Sequence, residues 1–386
     1  VTFGYQVNLS NPAHLDRENI ADLAIAPMDL LHLGLQDSAD DPFYFRIPKW
    51  GAAGVVDMAI FFTAHEYGHL SSISKSGYRS AVFGGKNTYI ADQKGTNPFD
   101  LFLEGLKGGA GTAISVTNGD WQAIGALFAG QPDKLNSFLI AMKGGGLNEE
   151  GVILDRYADR LWEGKMSSLD TIPVGIGAIS TLTYPTHVEM SDITDYATLL
   201  KSEGHDVSPS RIKVLSAVTL LSGSTLAAFR GAAVGFLGGS QEPVHPFEIA
   251  PAQHVRIEAP DLENTLSETG PTLKGSVRAR LGTLELRPSY ERLFVGGKSM
   301  AEVGLTGRVP VTPFLHLDGA GFRNTDGGWW QEVGVDVRPW SWLTLGVGYS
   351  WAWAYTFHRD LYGSNNDLLE PRERNLKLSV GLSHRF

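Results

Sequence analysis

Five consecutive residues, His65-Glu66-Tyr67-Gly68-His69, bring two imidazoles and a carboxylate together at a spacing that can do chemistry. On a helix the histidines stand at i and i+4, so both rings leave one face about one turn apart. Two neutral imidazoles so placed can hold one zinc ion, and Glu66 is positioned to take a proton from a metal-bound water. A hydrolytic zinc site also needs a third protein ligand and an open position for water. The plainer alternative is a pair of core histidines bonded to backbone, with Glu66 on the surface.

The motif asks for a helix, and the flanking sequence supplies one. Residues 52–72 contain no proline, and the run Val55-Val56-Asp57-Met58-Ala59-Ile60-Phe61-Phe62 leads into the histidines. Gly68 lets another backbone pass close to the metal. Further helical patterns are expected over 97–106, 121–128, 134–142, 149–162, 192–202 and 210–237. The last is uncharged from Val214 to Phe229, but Arg230 ends the run short of the ~20 apolar residues a spanning helix needs, so a buried or interfacial helix is expected. Short strands are expected at 2–9 and 43–47. The glycines at 108–111 and 144–146 read either as lids or as places of tight packing.

Beyond residue 250 the period changes from helical to two. Leu343, Leu345, Val347, Tyr349, Trp351, Trp353, Tyr355 and Phe357 alternate with small or polar residues, and Leu376, Leu378, Val380 and Leu382 do the same. With 253–259, 273–281, 284–291 and the runs around Val303, Leu315 and Val333, this gives about eight strands. The connections at 282–283, near Pro310 and at 339–341 are tight, whereas those at 260–270, 294–298, 323–328 and 358–372 are longer. Such alternation is the habit of outer-membrane barrels, whose short turns face the periplasm and whose long loops face outside. Eight strands leave a lumen that side chains fill.

Composition agrees with two units. The chain has 386 residues, enough for two cores. A net charge of −10 without a basic, aromatic-laced patch argues against a nucleic-acid partner. The absence of cysteine removes disulfides, thiolate zinc sites and cysteine nucleophiles together. Forty-five glycines, nine tryptophans and twelve tyrosines with modest charge suit a β-barrel. The expectation is therefore an α+β chain: a mainly helical half over 1–250, then an antiparallel transmembrane β-barrel over 251–386. Val1 is not preceded by a charged or apolar leader, so any signal peptide is expected to have been removed or left out.

The stretch 375–386, apolar at every second position and ending in Phe386, resembles the carboxy-terminal strand of bacterial outer-membrane β-barrel proteins, although His384 interrupts the series. The resemblance implies the lipid of the outer membrane and the barrel-assembly machinery as partners. With a periplasmic carboxy terminus and an even strand number, the helical half is expected on the periplasmic side or folded against the barrel.

The His65–His69 motif resembles that of the zincin metallopeptidases, and His-Glu-Tyr-Gly-His also occurs in membrane-associated zinc peptidases. No third histidine follows at the metzincin spacing. The gluzincin pattern takes a glutamate from a later helix, often within Gly-x-x-Asn-Glu, and this chain has Gly145-Gly146-Leu147-Asn148-Glu149-Glu150. The resemblance thus implies Glu149 as third ligand, with Glu150 next. Glu149 follows His69 by 80 residues, far beyond the short spacing of many family members, and an acidic helix start explains the same residues without a metal. Asp100 and Glu104 faintly resemble the aspartate-ligand zincins, and Asp170 the Leu-Asp-Gly element of site-2 proteases. Tyr184 and His187 are candidate oxyanion donors.

The expected function is a zinc-dependent metallopeptidase anchored in the bacterial outer membrane, with Glu66 as general base and a protein or peptide substrate. Two other readings stand beside it: a non-catalytic barrel with a degenerate zincin-like domain, and a zinc hydrolase acting on a lipid or amide.

Overall fold

The fold is that of a computed structural model, which describes residues 2–9, 14, 16–36, 42–75, 118–183, 192–239, 242–249, 255–363 and 372–383. It is α+β, with one large antiparallel sheet. The strands are β1 (Thr2–Asn8), β2 (Val255–Ile257), β3 (Asp261–Ser267), β4 (Gly270–Ser276), β5 (Ala279–Leu281), β6 (Leu284–Leu293), β7 (Ala301–Thr312), β8 (Leu315–Asn324), β9 (Trp329–Trp340), β10 (Leu343–Trp353) and β11 (Arg372–Ser383). Their order is β1-β11-β10-β9-β8-β7-β6-β4-β3, with β5 pairing both β6 and β2. β2 with β3, and β4 with β5, are two interrupted lanes, so the part after residue 250 has the eight lanes its periodicity implies. One expectation fails here: 260–270 is strand β3 and a tight turn, not a long loop. β1 adds a further lane against β11, so the sheet draws on both ends of the described chain.

The pleat puts apolar side chains outward. On β10, Leu345, Val347, Tyr349 and Trp353 are exposed, while Ser350 and Ala352 between them are buried. On β11, Leu376, Leu378 and Leu382 are exposed, and Glu373, Asn375 and Lys377 are buried. Lys377 reaches across to Glu332 of β9, Nζ to Oε2 3.5 Å. A sheet in water would place these two sets the other way round.

Among the described residues the sheet does not close on itself, so the closed barrel expected from the sequence is not what forms. Two helices stand in the gap between its edges. They are α1 (Arg17–Leu35) and α4 (Pro132–Trp162), which touch β1 and β3 respectively and also touch each other. Each edge is capped by an asparagine amide that mimics a neighbouring strand. Asn19 of α1 accepts from Gln6 N and donates to Gln6 O of β1, both at 2.7 Å. Asn148 of α4 accepts from Leu266 N at 2.8 Å and donates to Leu266 O of β3 at 2.9 Å. Edge donors and acceptors left bare would be costly or would recruit another chain.

The remaining helices are α2 (Phe43–Ser74), α3 (Asn118–Leu127), α5 (Thr171–Thr183), α6 (Asp192–Ser202), α7 (Pro209–Thr219), α8 (Gly223–Gly238) and α9 (Phe357–Tyr362). Several differ from the sequence expectation for definable reasons. α1 is unannounced because Pro27 sits inside it and reads as a breaker. α5 carries no charge to mark a polar face. Residues 43–47, expected as a strand, are the first turns of α2, despite Pro48. Residues 134–142 and 149–162 belong to one helix, because the glycines between them are held by neighbours rather than freed. Residues 210–237 break into α7 and α8, bent by 61°. Among the described residues no single helix is long and apolar enough to cross a membrane. The expected helix at 97–106 lies outside the described residues.

Candidate metal centre

α2 and α4 approach each other most closely where glycine meets glycine. A Cβ on Gly145 would stand 2.6 Å from Gly68 O and 2.9 Å from His69 Cα, and one on Gly68 would meet Gly145 O and the Glu149 Cβ. A Cβ on Gly146 would run into the Nε2 edge of the His65 imidazole, and one on Gly144 would meet the backbone of Leu266. The three consecutive glycines therefore serve three neighbours: β3, the α2 backbone and the histidine ring. Of the two readings of 144–146, tight packing is the one found. Helical glycine costs roughly 1 kcal/mol per residue against alanine; here the close approach offsets it.

At this crossing the motif histidines gain fixed orientations. His65 Nδ1 lies 2.7 Å from Glu150 Oε1, and Ser180 Oγ of α5 donates to the same oxygen at 3.0 Å. His69 Nδ1 lies 2.7 Å from the backbone oxygen of Met142. A carbonyl can only accept, so His69 Nδ1 carries the hydrogen and Nε2 carries the lone pair when the ring is neutral. The Glu150 carboxylate imposes the same tautomer on His65. The ligand atoms of His65, Glu66 and His69 lie within 4.8 Å of one another. His65 is buried and His69 nearly so.

A carboxylate from α6 completes the surroundings. Asp192 Oδ2 is 3.3 Å from His69 Nε2, and its other oxygen receives Lys143 Nζ at 3.1 Å. Lys143 also pairs with Asp195 at 2.7 Å, which anchors the start of α6 to α4.

The residues expected from the sequence fall into three groups. His65, Glu66, His69 and Glu150 are brought together, but Glu150 holds a histidine by its Nδ1 rather than standing beside both rings as a third ligand. Glu149, the first choice for that ligand, turns away. Its carboxylate is buried 3.6 Å from the Arg17 guanidinium, which also donates to Gly145 O and Ser72 Oγ at 2.7 Å each. Each residue turns the helix by about 100°, so Glu149 and Glu150 cannot both face α2's histidines. Asp170 bonds His32 instead, Nδ1 to Oδ1 2.8 Å, and His32 Nε2 meets Asp57 Oδ2 at 2.8 Å. Tyr184, His187, Asp100 and Glu104 lie outside the described residues.

Arg17, His32, Asp57 and Asp192 were missed as site or scaffold residues. For His32 and Asp57 the signal was a titratable residue embedded in an otherwise apolar stretch, visible for Asp57 in 55–62; Arg17 and Asp192 sit among other polar residues and carried no such mark.

No protein-family model matches the chain, and no curated protein matches it. Among solved structures it is similar to the outer-membrane expressed OmpT of Vibrio cholerae, at 11% identity and a TM-score of 0.24, covering 34% of this chain and 53% of that one. An in-vitro folded OmpT of the same organism, an outer membrane protein, aligns at 12% identity and a TM-score of 0.21, covering 34% and 52%. The aligned region thus spans about half the length of those structures.

Proposed function

We propose that the chain is a zinc-dependent peptide hydrolase of the bacterial outer membrane. One observation carries the reading: each motif histidine has its Nδ1 bound to an acceptor, Glu150 Oε1 or Met142 O, and so presents Nε2 as its metal-binding nitrogen. Ligating histidines almost always have such an outer partner. The missing Cβ of Gly146 beside the His65 ring is a second sign that the ring's position is built in. His65 Nε2 and His69 Nε2 would hold the ion, and Asp192 Oδ2 is the carboxylate best placed to join them.

Zinc bound there would lower the pKa of a coordinated water and polarise the scissile carbonyl. Glu66 accepts the proton of the attacking water at its carboxylate and delivers it to the leaving amine. Glu150 and Ser180 hold the His65 ring, and Lys143 holds Asp192 so that one oxygen keeps facing His69.

The outward apolar, inward polar sheet supports the membrane assignment. The site lies at the end of the sheet where the longer connections run. Lys75, at the end of α2, donates to the carbonyls of Arg359 and Asp360 in α9, within the link from β10 to β11. Tyr196 of α6 donates to Ser267 O beside the β3–β4 turn at 2.7 Å. Outer-membrane barrels turn that end to the exterior. We therefore read the site as meeting substrates from outside the cell, opposite to the periplasmic side inferred from strand parity.

The test is direct. Purified full-length protein should carry one zinc per chain, and Glu66→Gln should keep the zinc while losing about 10²–10⁴-fold in peptide hydrolysis. A zinc-free protein, or a Glu66→Gln variant of undiminished activity, would sink the reading.

A further inference from the structure

We infer that α1, the first half of α2 and α8 form a second lipid-facing surface, so that the helical half shares the membrane layer with the sheet; this rests on the outer-membrane reading above. The carrying observation is a helix amphipathicity turned inside out. On α1 the exposed residues are Leu23, Pro27, Leu30, Leu33 and Gly34, recurring at helical spacing. Its charges face the protein: Arg17 binds the α2–α4 seam, Glu18 and Asp22 pair with Arg156, Asp29 pairs with Arg160, and His32 lies between Asp57 and Asp170. A helix packed in water shows the reverse arrangement.

The same inversion continues on the neighbours. From Phe43 to Met58 the exposed residues of α2 include Phe43, Tyr44, Phe45, Ile47, Val55 and Met58, while Arg46 and Asp57 are buried. Arg46 donates to Phe236 O at 3.0 Å and Leu237 O at 3.2 Å of α8. α8 exposes Leu226, Phe229, Val234 and Leu237; its exposed Arg230 folds over the Phe247 ring, 4.4 Å from the centroid, and donates to His245 O.

Three features choose hydrocarbon rather than a protein partner as the occupant. The apolar surface is continuous with the outer face of the sheet, since α1 packs beside β1, which exposes Tyr5 and Val7. The nineteen residues of α1 span about 28 Å, close to the thickness of a hydrocarbon core. Both sheet edges end on helix amides, Asn19 and Asn148, as a wall immersed in lipid requires, because bare strand edges are not tolerated there.

The absence of native cysteine makes the test clean. Spin labels on Leu30→Cys, Val55→Cys and Val234→Cys report the helices, Val347→Cys the sheet, and Asp326→Cys the β8–β9 loop. In phosphatidylcholine vesicles, the helix labels should match Val347→Cys in the ratio of oxygen to nickel-chelate accessibility, several-fold above Asp326→Cys. Helix labels open to nickel beside an oxygen-accessible Val347→Cys overturn this inference and leave the outer-membrane reading standing. Nickel access at every position overturns both. Helix labels shielded from both reagents mean a protein covers the face, and also overturn the inference.

Discussion

α2 carries two buried histidine clusters on its flank, and they differ in one respect. At its carboxy-terminal end, His65 and His69 each spend Nδ1 on an acceptor and stand with Glu66 so that one ligand atom of each lies within 4.8 Å of the others. Two turns earlier, Asp57 meets His32, whose second nitrogen is taken by Asp170. A histidine held by carboxylates at both nitrogens is a structural cross-link with no lone pair to offer. Two imidazoles, each oriented through Nδ1 and set beside a shared carboxylate, are arranged for a common ligand. The two clusters use the same residue types at similar burial, so residue type and burial do not separate scaffold from site. The convergence of a second imidazole and a carboxylate on one point does.

The largest effects should come from crossing that line at each cluster. His69→Ala should remove stoichiometric zinc, read by metal analysis, and reduce hydrolysis to that of chelator-treated wild type. His32→Ala should leave zinc content unchanged in the folded protein but destabilise it by about 3–5 kcal/mol, because Asp57 and Asp170 lose the cation between them. Urea unfolding in detergent reads the second effect. If His32→Ala loses zinc as fully as His69→Ala, the division between the clusters is wrong.

This division was only partly legible in the sequence. The i, i+4 histidines and the helix carrying them could be read because the spacing is local. The strands after residue 250 could be read because a period of two survives even when apolar residues face outward. What was hidden depends on non-local partners. Nothing near Asp192 marks it as His69's neighbour, and Glu149 outranked Glu150 only by likeness to a motif. The helix containing both is continuous through Gly144-Gly145-Gly146, where propensity alone advises a break, because β3, α2 and His65 each need a missing side chain there. A closed barrel was expected from the period-two strands and their alternating connections, yet the edges end on Asn19 and Asn148, whose roles appear only once the helices are in place.

A smaller effect should follow from loosening the oriented cluster without touching a ligand. Glu150→Gln keeps a hydrogen-bond acceptor for His65 but removes the charge, and should weaken zinc binding by about 10–100-fold in competition with a chromogenic chelator. Unfolding by urea should shift far less than for His32→Ala. Unchanged zinc affinity would return Glu150 to a purely structural role.

The smallest effect on the metal should come from Asn148→Ala, although the residue lies between Gly146 and Glu150 on the same helix. Its amide faces β3, a different side of α4 from the ring of His65, and its loss strands Leu266 N and O at the sheet edge. Leaving such buried groups unmade costs roughly 1–3 kcal/mol, so urea unfolding should shift measurably while chelator competition does not. Asn148→Asp is the sharper companion: it keeps the acceptor for Leu266 N but sets a buried carboxylate oxygen against Leu266 O, so at neutral pH it should destabilise at least as much as Asn148→Ala. If either variant changes zinc affinity as much as Glu150→Gln does, the faces of α4 are coupled, and the metal centre reaches the edge of the sheet.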